Sequence, residues 1–138
     1  MTIIGFTGGR TQPTPEQSRW LRHYMVRDEI KEVHHGACVG ADALVHHIAW
    51  NLPTVVHPCT LVNHVATECL RPSPRVQVLE PLEPLVRNRA IVDACDRLVV
   101  LPDRAECQRS GTWATVRYAR SQGKPIVICY RDGRVERG

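Results

Sequence analysis

The chain has 138 residues, 43% of them hydrophobic and 23% charged, with a formal charge of +4, which suits one globular domain with a real core. No apolar run approaches the roughly 18 residues needed to cross a bilayer, which excludes a membrane-spanning helix. The positive charge is scattered over arginines with no basic run, so a nucleic-acid surface is not expected either.

Phe, Trp and Tyr make up only 5% of the chain, so the core is expected to be mostly aliphatic. Gly8, Gly9 and Arg10 interrupt the apolar start, and no export signal is expected. Cys38, Cys59, Cys69, Cys95, Cys107 and Cys129 include no Cys-x-x-Cys pair. They are expected to be reduced thiols in the cytoplasm.

In chain order, 2–7 reads as a short apolar strand running into Gly8-Gly9-Arg10. Trp20, Leu21, Tyr24, Met25 and Ile30 fall at helical spacing and predict an amphipathic helix over about 15–30, started by the turn at Pro13 and Pro15. A short strand is expected at 32–35, a small-residue loop at 36–40 and a second helix at 41–51. A strand at 54–57 follows the break at Leu52-Pro53. The stretch 58–74 holds three prolines and is the least regular, with some helical character around 62–70. A strand at 75–79, a helix at 85–94, a strand at 97–101, a helix at 112–122 and a strand at 125–130 complete the set. Gly123 stands where a helix stops, and 131–138 reads as a polar tail.

Strands alternating with helices, several of them continuously apolar, indicate a parallel sheet covered on both faces. The expected fold is a single α/β domain over 1–138, a Rossmann-like three-layer sandwich with a mainly parallel sheet of five to six strands. Ligands in such sheets bind beyond the carboxyl ends of the strands, where strand order reverses.

Four loops at strand ends are chemically unusual. Thr7-Gly8-Gly9-Arg10 allows a tight turn that aims backbone N–H groups into the crevice, with Arg10 in reach of a phosphate. It matches neither the dinucleotide fingerprint nor the Walker loop. In His34–Asp42, Gly36 and Gly40 permit close packing, and Asp42 either caps a helix or accepts a ribose or base hydrogen bond. Arg87 and Asn88 are expected to face the crevice, Arg87 closing over a phosphate, while one arginine of Arg87-Asn88-Arg89 pairs with Glu83 or Asp93. In the fourth loop, Arg109, Ser110, Gly111 and Thr112 open a helix. The first turn of a helix has unpaired N–H groups and partial positive charge, and glycine lets a phosphate come close. Ser110 or Thr112 is alternatively a plain N-cap. Asp103 and Glu106 are the nearest acids. No metal site is expected at the histidine pairs His34-His35 and His46-His47, because no carboxylate or cysteine completes a set.

These blocks together resemble the SLOG superfamily, the group that includes the SMF/DprA and LONELY GUY (LOG) proteins. The resemblance rests on 5–10, 34–42 (HHGACVGAD), 87–93 (RNRAIVD), 98–102 and 109–120 (RSGTWATVRYAR), in order and over nearly the whole chain. It is similar in particular to small single-domain members from bacteria and phages. The resemblance implies a Rossmann-like fold, a nucleotide-type ligand and a homodimer. LOG enzymes cleave the N-glycosidic bond of nucleoside 5′-monophosphates and carry Pro-Gly-Gly-x-Gly-Thr-x-x-Glu, whose glutamate is catalytic. Here Gly111 and Thr112 take the Gly-Thr positions, Arg109 replaces the second glycine and Thr115 stands where the glutamate would be. Ala37 stands where the narrower group has an acidic residue.

The expected function is therefore binding of a nucleotide or nucleotide derivative (ADP-ribose-like, cyclic or mononucleotide) by a sensor, carrier or sequestering protein that uses no cofactor. The alternative is a LOG-like phosphoribohydrolase whose acid is Asp103, Glu106 or Glu68, since a hydroxyl at 115 cannot replace a carboxylate. A DNA-binding role like that of the DprA branch ranks last.

Overall fold

A computed structural model describes residues 2–138. Seven strands form one sheet: β1 (Thr2–Gly8), β2 (Ile30–His35), β3 (Thr54–Val56), β4 (Val76–Val78), β5 (Arg97–Leu101), β6 (Ile126–Cys129) and β7 (Val135–Arg137). The helices are α1 (Pro15–Arg27), α2 (Ala41–Ile48), α3 (Pro84–Ala94) and α4 (Gly111–Ser121), with a single 3-10 turn at Thr67–Leu70. The strand order is β4-β3-β2-β1-β5-β6-β7. All neighbours are parallel except β6 and β7.

The alternation of side chains along β5 shows how the layers arise. Val99 and Leu101 face one side with Ile4, Phe6, Val33 and Val127, where Leu21 and Tyr24 of α1 and Val45 of α2 cover them. Leu98 and Val100 face the other side with Ile126 and Ile128, under Val92 of α3 and Trp113 and Val116 of α4. Continuously apolar strands thus mean burial on both faces. A smaller cluster of Val56, Cys69 and Val76 closes the β3–β4 edge.

α1 begins at a reciprocal cap in which Thr14 accepts from the Gln17 amide and Gln17 accepts from the Thr14 amide. The same buried Gln17 donates through Nε2 to the carbonyls of Pro102 (2.9 Å) and Cys129 (3.0 Å). It therefore ties α1 to the ends of β5 and β6. α1 stops at Arg27, short of the expected 30, because Ile30 starts β2 and is buried in the sheet.

The expected polar tail is a strand. Tyr130 donates its amide to Arg134 O (2.8 Å), Gly133 takes φ +90°, and β7 pairs antiparallel to β6. Its three residues are exposed, so an edge strand with no buried face gave no apolar pattern to read. Asp132-Gly133, a hairpin-type pair, was the available signal. With β7 the sheet has one strand more than the five to six expected.

β1 connects to β2 on one side, while β5 lies on its other side, so strand order reverses between β1 and β5. The crevice of such a sheet opens there. No described helix is long and apolar enough to cross a membrane.

Candidate functional site

At the carboxyl ends of β1 and β5 lies a polar cavity of about 320 Å³. Thr7, Gly8, Gly9, Arg10, Gly36, Asp42, Arg87, Asn88, Asp103, Arg109, Ser110, Gly111 and Thr112 all line it. Of the binding residues read from the sequence, Gly40 alone lies outside. It packs beneath the cavity at φ +88°, where a Cβ would come within 2.5 Å of Gly9 O and 2.7 Å of the Arg10 carbonyl carbon. Gly8 and Gly9 are equally tight, facing Ala41 Cβ and the Asp103 carboxyl group. The Ala41 amide donates to Gly9 O (3.1 Å). Glycines therefore let the three loops touch, and at Gly40 the contact is backbone against backbone.

Gly111 differs from these. Nothing lies within 4 Å of where its Cβ would be. The space over the first turn of α4 is open, and the amides of its first residues have no intrahelical acceptor. Ser110 is the N-cap and accepts from the Trp113 amide (3.4 Å). The Thr112 hydroxyl donates to Gly8 O (2.8 Å), so it joins the two glycine loops. Trp113 Nε1 donates to Arg104 O (3.2 Å) and Arg117 to Cys107 O (3.2 Å), which fixes the loop leading to Arg109. Among the described residues, Arg10 and Arg109 have no carboxylate within salt-bridge distance.

Arg87 is buried, and it is an anchored group rather than an arm that closes. Nη1 donates to Gly36 O (2.7 Å) and His57 O (3.1 Å), and Nε donates to Asn88 Oδ1 (2.7 Å). None of the arginines in this helix pairs with Glu83 or Asp93. Arg89 instead lies over the Tyr118 ring at 5.2 Å, and Tyr118 donates to Asp93 (2.7 Å).

Asp42 does not cap its own helix, whose N-cap is Gly40. Its Oδ2 accepts from the Gly36 and Cys38 amides, both at 3.2 Å, and so shapes the 36–38 loop. Its Oδ1 is buried with no partner. Burial pushes the carboxyl up to about 6, against the pull of the Cys38 amide and Arg87. Asp103 has the opposite character. Partial burial raises it, but Arg104 at 3.0 Å, with help from Thr11, holds it below the usual carboxylate range.

The other acids stand elsewhere. Glu106 pairs with Arg120 (3.2 Å) and Arg117 (3.6 Å) along α4 and does not line the cavity. Glu68 is exposed on the 3-10 turn. Thr115 is buried and donates to Gly111 O (2.8 Å), so its hydroxyl is spent inside α4. Cys38 and Arg104 also line the cavity and were not singled out in the sequence. Cys38 follows Ala37, which takes φ +59°, and only that turn brings it inward.

Four of the seven histidines form two pairs outside the cavity. His34 Nε2 meets Glu32 (2.7 Å) and its Nδ1 meets His57 Nε2 (2.8 Å). His35 Nε2 meets His46 Nδ1 (2.9 Å). Cys69 completes a set with His35 and His46 whose ligand atoms lie within 4.8 Å, the cysteine that sequence reasoning did not find. The hydrogen bonds do not fit a metal. The Ala37 amide donates to His35 Nδ1 (3.0 Å), so the neutral ring carries its proton on Nε2, the atom a metal would need. Burial keeps His35 neutral and pushes the Cys69 thiol up to about 12.

A larger cavity, about 730 Å³, lies at the C-terminal ends of α1 and α2 around Met25, Trp50 and Arg75, away from the crevice. It gathers no glycine loop or helix N-terminus.

No family model matches the sequence, and no curated protein matches it. Among solved structures, the chain is similar to the X-ray structure of TM1055, a structural-genomics target. The TM-score is 0.62 at 18% identity, over 91% of this chain and 72% of that one. The likeness supports the Rossmann-like sandwich.

Proposed function

We propose that the chain binds a nucleotide or nucleotide-derived ligand, phosphate first, as a sensor, carrier or sequestering protein. The observation that carries this is the open first turn of α4 at Gly111, flanked in one cavity by Arg10 and Arg109, which have no carboxylate partner among the described residues. Helix amides and two free guanidinium groups are a complementary lining for a phosphate dianion. The order of the sequence blocks, similar to that of SLOG proteins, supports the same class of ligand. Calorimetry against nucleoside mono- and diphosphates and ADP-ribose derivatives tests it: affinity weakened about tenfold in Arg109→Ala is expected, and no heat at millimolar ligand rejects it. A homodimer belongs to this proposal on the resemblance alone, and a cytoplasmic location on the expectation of reduced thiols; sedimentation tests the first.

A second reading, a nucleotide N-glycosidase, is favoured by one feature. Two carboxyl groups of opposite character, Asp42 raised to about 6 and Asp103 lowered, share the cavity. Environments that push two acids apart suit general acid and base roles. Chromatography of AMP, CMP and GMP mixtures tests it. Release of free base that stops in Asp42→Asn supports it, and release that survives in Asp42→Asn and Asp103→Asn assigns the acid wrongly.

A further inference from the structure

A second cavity, about 490 Å³, shares the walls Gly36, Cys38 and Arg87 with the polar one. Its other sides come from the irregular stretch after β3. Pro58, Leu61, Val62 and Leu70 make it apolar, with Asn63 and Thr67 at its edge. Leu61 is 58% exposed and Val62 84% exposed, an apolar surface that a monomeric protein leaves bare at a cost.

The stretch is held in place rather than loose. The Val39 amide donates to His64 O (2.8 Å) and the Ala66 amide to Ala37 O (2.8 Å), stapling it to the 36–40 loop. Both non-glycine residues with positive φ, Ala37 (+59°) and His64 (+64°), lie on this staple. Left-handed non-glycine backbone persists only where its surroundings enforce it, and it concentrates at ligand sites. Arg87 is the common wall. Its guanidinium is locked by two carbonyls and Asn88, which leaves a fixed planar cation between a polar and an apolar space.

We infer that the apolar cavity seats the heterocyclic base of the ligand, with Arg87 between base and phosphate. This rests on the phosphate reading above and adds the base subsite to it. A base has apolar faces and hydrogen-bonding edges, which matches apolar walls rimmed by Asn63 and Thr67. A sugar phosphate without a base fills only the polar cavity.

The experiment compares AMP with ribose 5-phosphate by calorimetry on the full chain and two variants. Wild-type protein is expected to bind AMP at least tenfold more tightly than ribose 5-phosphate. Leu61→Asp, on the exposed rim, and Thr67→Trp, which fills the space, are expected to erase that preference and leave ribose 5-phosphate binding unchanged. AMP is also expected to slow alkylation of Cys59, a wall residue, while ribose 5-phosphate does not. Equal affinity of wild type for the two ligands, or a preference that survives both variants, overturns the base subsite and leaves the phosphate site standing. Binding of neither ligand overturns both.

Discussion

Two polar clusters lie near the carboxyl ends of the strands, and they are built in opposite ways. Around β2 and β3, the buried His34, His35 and His57 and the half-buried His46 satisfy one another: Glu32 to His34 to His57 in one series, and Ala37 to His35 to His46 in the other. Around β1 and β5, the polar groups are left open: Asp42 Oδ1 has no partner, and Gly111 faces empty space. Buried polar groups that are satisfied internally stabilise a fold, while those kept unsatisfied need an external partner to justify their cost. The histidine pairs bond to one another, to Glu32 and to the Ala37 amide. The glycine loops, which the sequence marks as chemically unusual, frame the cavity.

The largest effect that would break this contrast is steric. Gly40→Ala puts a Cβ against Gly9 O at a left-handed φ. It is expected to cost about 3 kcal/mol and to abolish ligand binding, read from a urea midpoint and calorimetry. Retained stability would mean that the three loops do not depend on that contact.

The next concerns the histidine cluster. His46→Ala leaves the buried His35 Nε2–H without its acceptor, for about 1–3 kcal/mol. Nucleotide affinity is expected to stay the same, and added zinc to leave the wild-type melting temperature unchanged. A zinc-dependent rise would show that His35 can surrender its proton to a metal.

Arg109→Ala tests the open cavity in the reverse sense. Affinity for phosphate ligands is expected to fall about tenfold, or 1.4 kcal/mol, with stability within about 0.5 kcal/mol of wild type. A stability loss instead would make Arg109 a structural residue.

The smallest effect is the most informative about Asp42. Its carboxyl is raised in the folded protein to about 6 from the ordinary 3.8. Stability from this group is therefore complete below about pH 4, falls as pH rises, and is fully lost above about 6. Asp42→Asn removes the penalty. The variant is expected to be more stable than wild type at pH 8 and no more stable at pH 3.5, measured by urea titration at both, while losing ligand affinity. A variant less stable at pH 8 would mean that the Gly36 and Cys38 amides need the charge.

Much of this architecture was readable because it obeys local rules. Leu98-Val99-Val100-Leu101 could only be a strand covered on both faces, and Gly123 (φ +69°) stops α4 where expected. Loop residues at strand ends announced one cavity, since a parallel sheet brings all such ends together. What escaped depends on long-range contact. No local pattern places Cys69 beside His35 and His46, 34 residues and 23 residues away in sequence. Arg87 is anchored by carbonyls, which no residue-type argument anticipates. The second cavity comes largely from 58–70, whose lack of periodicity concealed a well-bonded loop.

The most direct test is a crystal structure of the protein grown with AMP. Phosphate density is expected within hydrogen-bond distance of the Gly111 amide, between Gly9 and Arg109. Phosphate bound at the histidine cluster or the α1–α2 cavity, with the Gly9–Gly111 space holding only water, would contradict it.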